Sequence, residues 1–147
     1  MVNDQELVAV SALEGQERYE HFVKRICDTE RVYMYVGRED EETVLVIEDG
    51  GKRCMPFWPH PRYAEAYTGA SEHTYTLAEV DLTEFVDAAL PDLAKDGLLV
   101  AVMPTDRRGR LLTVPADDLA RSIVAYHEEW FGGWPKYSRL DARGEND

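Results

Sequence analysis

The sequence predicts an α+β fold: a mostly antiparallel sheet of about five strands with helices packed on it. Three observations carry this. Apolar residues recur at helical spacing in the first and last thirds of the chain. Between them lie β-branched runs bounded by Gly- and Pro-rich turns. The elements also fall in blocks, as helix, three strands, two helices, two strands, helix, which argues against alternating βαβ units.

The elements follow in order. The polar stretch Met1 to Ala9 is expected to fray. Leu13, Tyr19, Phe22, Val23 and Ile26 then share one helical face, and the helix should end between Cys27 and Glu30. Arg31 to Val36, Thr43 to Glu48 and Lys52 to Trp58 read as strands of an antiparallel meander. Asp49-Gly50-Gly51 joins the last two, because glycine supplies the positive φ of a tight hairpin. Pro56 lacks a ladder donor and belongs at an edge or near a strand end.

A turn at Pro59-His60-Pro61 leads into a short helix, from about Arg62 to Tyr67, stopped at Gly69. A brief strand is expected at His73 to Leu77. Leu82, Phe85, Val86, Ala89, Leu90 and Leu93 mark another amphipathic helix, which Pro91 should kink or restart and Gly97 should end. Leu98 to Met103 is wholly apolar, so it reads as a central strand covered on both faces. Leu111 to Val114 is its partner across Thr105 to Gly109. Pro115 suits a first helical position, with Asp117 and Asp118 at the positive end of the helix dipole. Leu119, Ile123, Val124, Tyr126 and Trp130 mark the buried side of this last helix, and Gly132-Gly133 ends it. Residues 1–131 are read as one α+β domain and 132–147 as a C-terminal tail.

At 147 residues the chain is long enough to bury a core without disulfide or metal. Cys27 and Cys54 lie far apart, and His21, His60, His73 and His127 show no ligand spacing, so no metal and no cofactor are expected. The start Met-Val-Asn-Asp-Gln-Glu has neither the basic nor the apolar region of an export signal. No apolar run approaches the ~20 residues of a spanning helix, so a cytoplasmic protein is expected. Asp and Glu number 29 against 16 Lys and Arg, a formal charge of −13. That field repels nucleic acid and anionic membranes and attracts a basic protein.

The segment Met55 to Ala64 holds three prolines, two large aromatics, a histidine and an arginine where a strand hands over to a helix. With the helical Arg18-Tyr19-Glu20-His21-Phe22-Val23 and the segment Asp96 to Thr105, an apolar strand ending in Pro-Thr, it resembles the bacterial domain-of-unknown-function family 2750. The resemblance spans about Ala12 to Leu119 and implies a fold, with no activity or catalytic residues attached.

Trp58, His60, Arg62 and Tyr63 are the candidate binding residues. Trp58 and Tyr63 offer apolar area with a polar edge, Arg62 a bidentate donor for an anion, and His60 a charge change near neutrality. The structural alternative is a Pro-fixed turn, with Trp58 capping the core and His60 satisfying a backbone carbonyl. No nucleophile elbow, phosphate loop or zinc-protease motif is present, and a thiol pair of Cys27 with His21 or His60 would need the fold to bring them together. The expectation leans to a non-catalytic acidic binding module, in its strongest form an inhibitor or immunity-type protein for a basic partner. The alternative is an anionic-ligand sensor or enzyme using the Trp58–Tyr63 surface. A homodimer is a third reading, through an exposed stripe of Trp130, Phe131 and Trp134, unless these rings fold back onto the domain.

Overall fold

In the computed structural model the described residues are 2–67, 74–105 and 111–134. The first helix, α1, spans Asp4–Ser11, where fraying was expected. Asn3 caps it by accepting a hydrogen bond from the Glu6 amide at 2.8 Å, and Val2 and Val10 are buried. The cap satisfies a backbone donor that water would otherwise have to reach, and the two valines anchor both ends. Helix α2, Gly15–Thr29, buries Phe22, Val23, Ile26 and Cys27 and ends at Glu30 in the left-handed region.

Among the described residues six strands form two sheets. β1 (Arg31–Gly37) pairs antiparallel with β4 (Tyr75–Asp81) along its whole length. β2 (Ile47–Asp49), β3 (Lys52–Phe57), β5 (Leu99–Val102) and β6 (Thr113–Pro115) form the other sheet in the order β2-β3-β5-β6. The fold is α+β and its pairings are antiparallel except one, β3 with β5. The predicted meander is corrected at its first link. β1 takes β4 as its neighbour and is joined by isolated bridges from Tyr33 to Trp58, just past β3, and from Val36 to Val44, ahead of β2. The predicted hairpin is present, with Gly50 and Gly51 both at positive φ between the paired Asp49 and Lys52. Pro56 lies beyond the last residue of β3 that pairs with β2, so its missing N–H breaks no ladder on that side.

Helix α3 spans Pro61–Glu65. The helix expected over Leu82 to Leu93 is three pieces: α4 (Leu82–Glu84), a π-helical turn (Phe85–Ala89) and α5 (Leu90–Lys95). Pro91 lies two residues after the π turn, at the start of α5. A wider turn at that point relieves the clash between the proline ring and the carbonyl four residues back, so the chain stays helical. Val100, Ala101 and Val102 of β5 are wholly buried between β3 and β6, as a central strand requires. Helix α6, Ala116–Phe131, begins one residue later than predicted. Pro115 is its N-cap and the last residue of β6. The predicted stop at Gly69, the link over residues 106–109, His73 and the tail from residue 135 lie outside the described residues.

Candidate functional site

The aromatic turn after β3 is interior. Trp58 has no exposed surface and Tyr63 is 2% exposed. The Trp58 indole N–H donates to the Pro104 carbonyl at 3.0 Å, and its ring meets Tyr35 edge-on at 5.4 Å and Tyr67 at 5.5 Å. Arg18, also buried, reaches the same place from α2. Its guanidinium donates to the carbonyls of Val102 and Met103 and to those of Ser11 and Leu13. Four carbonyl dipoles disperse the charge, and the Glu14 carboxylate favours it against the cost of burial, which lets an arginine be buried. The Met103 backbone has φ +43, a conformation that non-glycine residues rarely adopt. The Arg18 donor on its carbonyl and the bond from its amide to Phe57 at 2.9 Å hold it there. The three segments that carry the sequence resemblance therefore meet at one hub. Its visible work is to pin the end of β5 to α2 and to the turn after β3.

His60 and Arg62 lie at the margin of this hub. His60 caps α3, and its Nδ1 accepts the Arg62 amide proton at 3.1 Å. It thus serves a backbone N–H, where a carbonyl was expected. Burial and the nearby Arg25 charge push the His60 pKa down, consistent with an acceptor nitrogen that must stay unprotonated. The Arg62 guanidinium pairs with Asp4 on α1.

Behind them, α1, α2 and α3 enclose a polar junction that sequence patterns did not reveal. Rings of His21 and His60 each stand edge-on to Tyr63 at 6.3 Å. Glu6 Oε2, His21 Nε2, Arg25 Nε and the Tyr63 hydroxyl are withdrawn from solvent without a hydrogen bond of ordinary geometry among the described residues. Burial, then the Glu6 carboxylate, pushes the Tyr63 phenol up to about 12, with Arg25 opposing. Burial and Arg25 push His21 down. Among the described residues no group of three or more His, Cys, Asp or Glu could hold a metal ion. The Cys27 thiol donates to the Ile123 carbonyl at 3.8 Å, and burial with Asp28 and Glu30 pushes it up to about 12, which disfavours the thiolate.

The open surface lies elsewhere, between α2 and α6. A groove of about 840 Å³ is lined by the buried Val23 and the exposed Ala125, together with Tyr126, Trp130 and Phe131. Its charged lining is Glu20, Asp28 and Glu129 against Lys24. Trp130 is 64% exposed and Phe131 50%. This corrects the prediction that Trp130 belongs to the buried side of α6. Leu119 and Ile123 are buried, and the helix carries its last turn past the layer that covers them. The predicted stripe of three rings is also split. Trp134 turns back against His127, edge-on at 5.2 Å, and His127 Nδ1 lies 2.9 Å from the Gly133 carbonyl. Sequence reasoning missed Asp28 and Glu129 because each looks like one more solvated acid. The available signal was Tyr126, Glu129 and Trp130 at i, i+3, i+4, a composite acidic and aromatic face.

The sequence matches the family described as Protein of unknown function (DUF2750) over residues 19–123. The chain belongs to DUF2750. No curated protein matches it. The DUF2750 match includes Trp58, the β5 strand and Met103, and begins one residue after Arg18. It takes in the α2 wall of the groove from Tyr19 onward and stops before Tyr126, Glu129, Trp130 and Phe131. The groove thus joins a wall inside the matched region to a rim beyond it. Among the described residues, no helix is long and apolar enough to cross a membrane.

Proposed function

We propose that the protein is a non-catalytic recognition module that binds a basic protein partner through the face shared by α2 and α6. One observation carries the reading: Trp130 stands 64% exposed on the rim of a groove whose charged lining is three carboxylates and one ammonium. Exposed tryptophan is a costly surface residue and a common anchor of interfaces. The chain charge of −13 adds long-range attraction for a cationic partner. An inhibitor or immunity-type role is the strongest form of this reading, and a cytoplasmic setting is its natural place. The alternative, an anionic-ligand sensor or enzyme at Trp58 to Tyr63, has less support, since the two rings are interior and Arg62 is engaged by Asp4.

Affinity capture from the organism that encodes the chain tests this, at low and at high salt, with Trp130→Ser in parallel. A basic protein held at low salt by the wild type and lost by the variant is the expected result. Capture that ignores both salt and Trp130 would overturn the reading. So would a chain that sizes as a dimer in solution and becomes a monomer on Trp130→Ser, because the occupant would then be a second copy.

A further inference from the structure

The α2/α6 groove is not uniform. At one end the rings of Tyr126 and Trp130 lie 6.0 Å apart at 32°, a tilted shelf with the Trp130 face open to solvent. Asp28 and Glu129 line the groove beside it, and neither forms an ion pair among the described residues. Both carboxylates lie close enough to Tyr126 to help raise its phenol, although burial is the larger cause. Glu20, further along α2, is already engaged by Gln16 at 3.2 Å.

We infer that Tyr126, Trp130, Asp28 and Glu129 form a subsite for one arginine side chain of the basic partner. This inference rests on the recognition reading above and names the chemistry of its central contact. A planar guanidinium stacks on an indole face through the ring quadrupole and keeps its edge N–H groups free for carboxylates. An ammonium is compact and strongly hydrated, so it gains less from a flat shelf. Both carboxylates line the same groove as the shelf and act on its Tyr126 ring, so attraction and stacking can act on one cation. The rest of the groove has room for what carries that arginine. From Gln16 to Asp28 the α2 wall rises about 18 Å, the length of roughly three helical turns. Val23 and Ala125 in its lining suit the apolar side of such a segment.

The probe is N-acetyl-arginine amide titrated into the full chain, with the neutral isostere N-acetyl-citrulline amide as control. Nuclear magnetic resonance follows the Trp130 indole N–H and the amides of Asp28, Tyr126 and Glu129. The expected result is saturable shifts at these four residues with the arginine probe, and binding of the citrulline probe weaker by roughly three- to tenfold. Trp130→Ala should abolish the response. Asp28→Asn combined with Glu129→Gln should weaken it while leaving the indole in place, with circular dichroism confirming the fold of each variant. Equal binding of the two probes, a response that survives Trp130→Ala, or no shifts at these residues would overturn the subsite. Failure here is separable from failure of the recognition reading. A basic partner captured through Trp130, with no arginine response, leaves the module standing and removes the subsite. Arginine binding at the shelf without any captured basic partner does the reverse.

Discussion

The turn from Trp58 to Tyr63 and the last two turns of α6 are similarly rich in aromatic residues, yet the fold spends them in opposite ways. In the first, the Trp58 ring is sealed among Tyr35 and Tyr67 and its one polar atom is satisfied by Pro104. In the second, Trp130 projects from a helix end in a groove whose Asp28 and Glu129 form no ion pair among the described residues. A tryptophan whose N–H finds a backbone acceptor inside the core contributes stability, and one left in water costs hydration without return unless something covers it. Local residue chemistry is alike in the two places. What separates them is whether another layer of the fold reaches over the ring.

The sharpest way to break that contrast is Trp58→Ala. It should destabilise the protein by about 3–5 kcal/mol, the range for emptying a large buried aromatic site. Trp58→Phe should cost far less, on the order of 1 kcal/mol beyond its smaller packing loss, since one hydrogen bond disappears and the Pro104 carbonyl is left without it. Equilibrium urea unfolding measures both. If Trp58→Ala cost under about 1 kcal/mol, as a surface substitution does, the turn would not be a core element and its claim to be a binding surface would revive.

Much of the fold was legible because it follows from local rules. Gly50-Gly51 dictated the hairpin, the apolar run at Val100 to Val102 dictated a central strand, and the spacing from Tyr19 to Ile26 dictated α2. What escaped depends on partners distant in sequence. Nothing near β1 says that it will choose β4 over β2, since register and neighbour are decided by which edges the helices leave open. Nothing near Arg18 says that it will be buried, because its acceptors include carbonyls more than eighty residues away. The π turn before Pro91 is a compromise between a proline and the apolar face on either side of it. The residue types of the candidate site were visible at Trp58 to Tyr63. Their inward orientation was not, and the exposed groove needed α2 and α6 side by side.

Acidification probes the polar junction that borders the buried region, with a smaller effect than losing Trp58. His21 and His60 both titrate lower in the folded protein than in the free side chain, owing first to burial and then to Arg25. In the unfolded chain each takes up a proton near its ordinary pKa of about 6.5. As pH falls through that value the unfolded state binds protons that the folded state refuses, so stability declines until the depressed folded pKa is reached. The groups facing the two rings are Glu6 on α1, Arg18, Lys24 and Arg25 on α2, and Glu65 on α3. Urea midpoints should therefore drop between about pH 7 and pH 5, and the drop should shrink in a His21→Gln, His60→Asn double variant. Asparagine keeps an acceptor at the α3 cap, so the variant isolates titration from capping. A profile as steep in the double variant as in the wild type would mean that other groups carry the acid sensitivity and that the junction is already hydrated.

The smallest expected effect lies at the exposed end of the comparison. Trp130→Ser should change folding stability by no more than about 0.5 kcal/mol, because the ring covers little beyond one face of Tyr126. Phe131→Ser should cost more than that, although phenylalanine is the smaller ring. Phe131 stacks at 5.1 Å on His127, which is itself buried and holds the Gly133 carbonyl that closes α6. The order of these two losses is the useful quantity. It places the boundary between core and interface between adjacent residues of one helix, with Phe131 on the structural side and Trp130 on the other. If Trp130→Ser proved the costlier, its ring would be part of the packing of α2 against α6, and the groove would lose the one anchor that distinguishes it from an ordinary seam between helices.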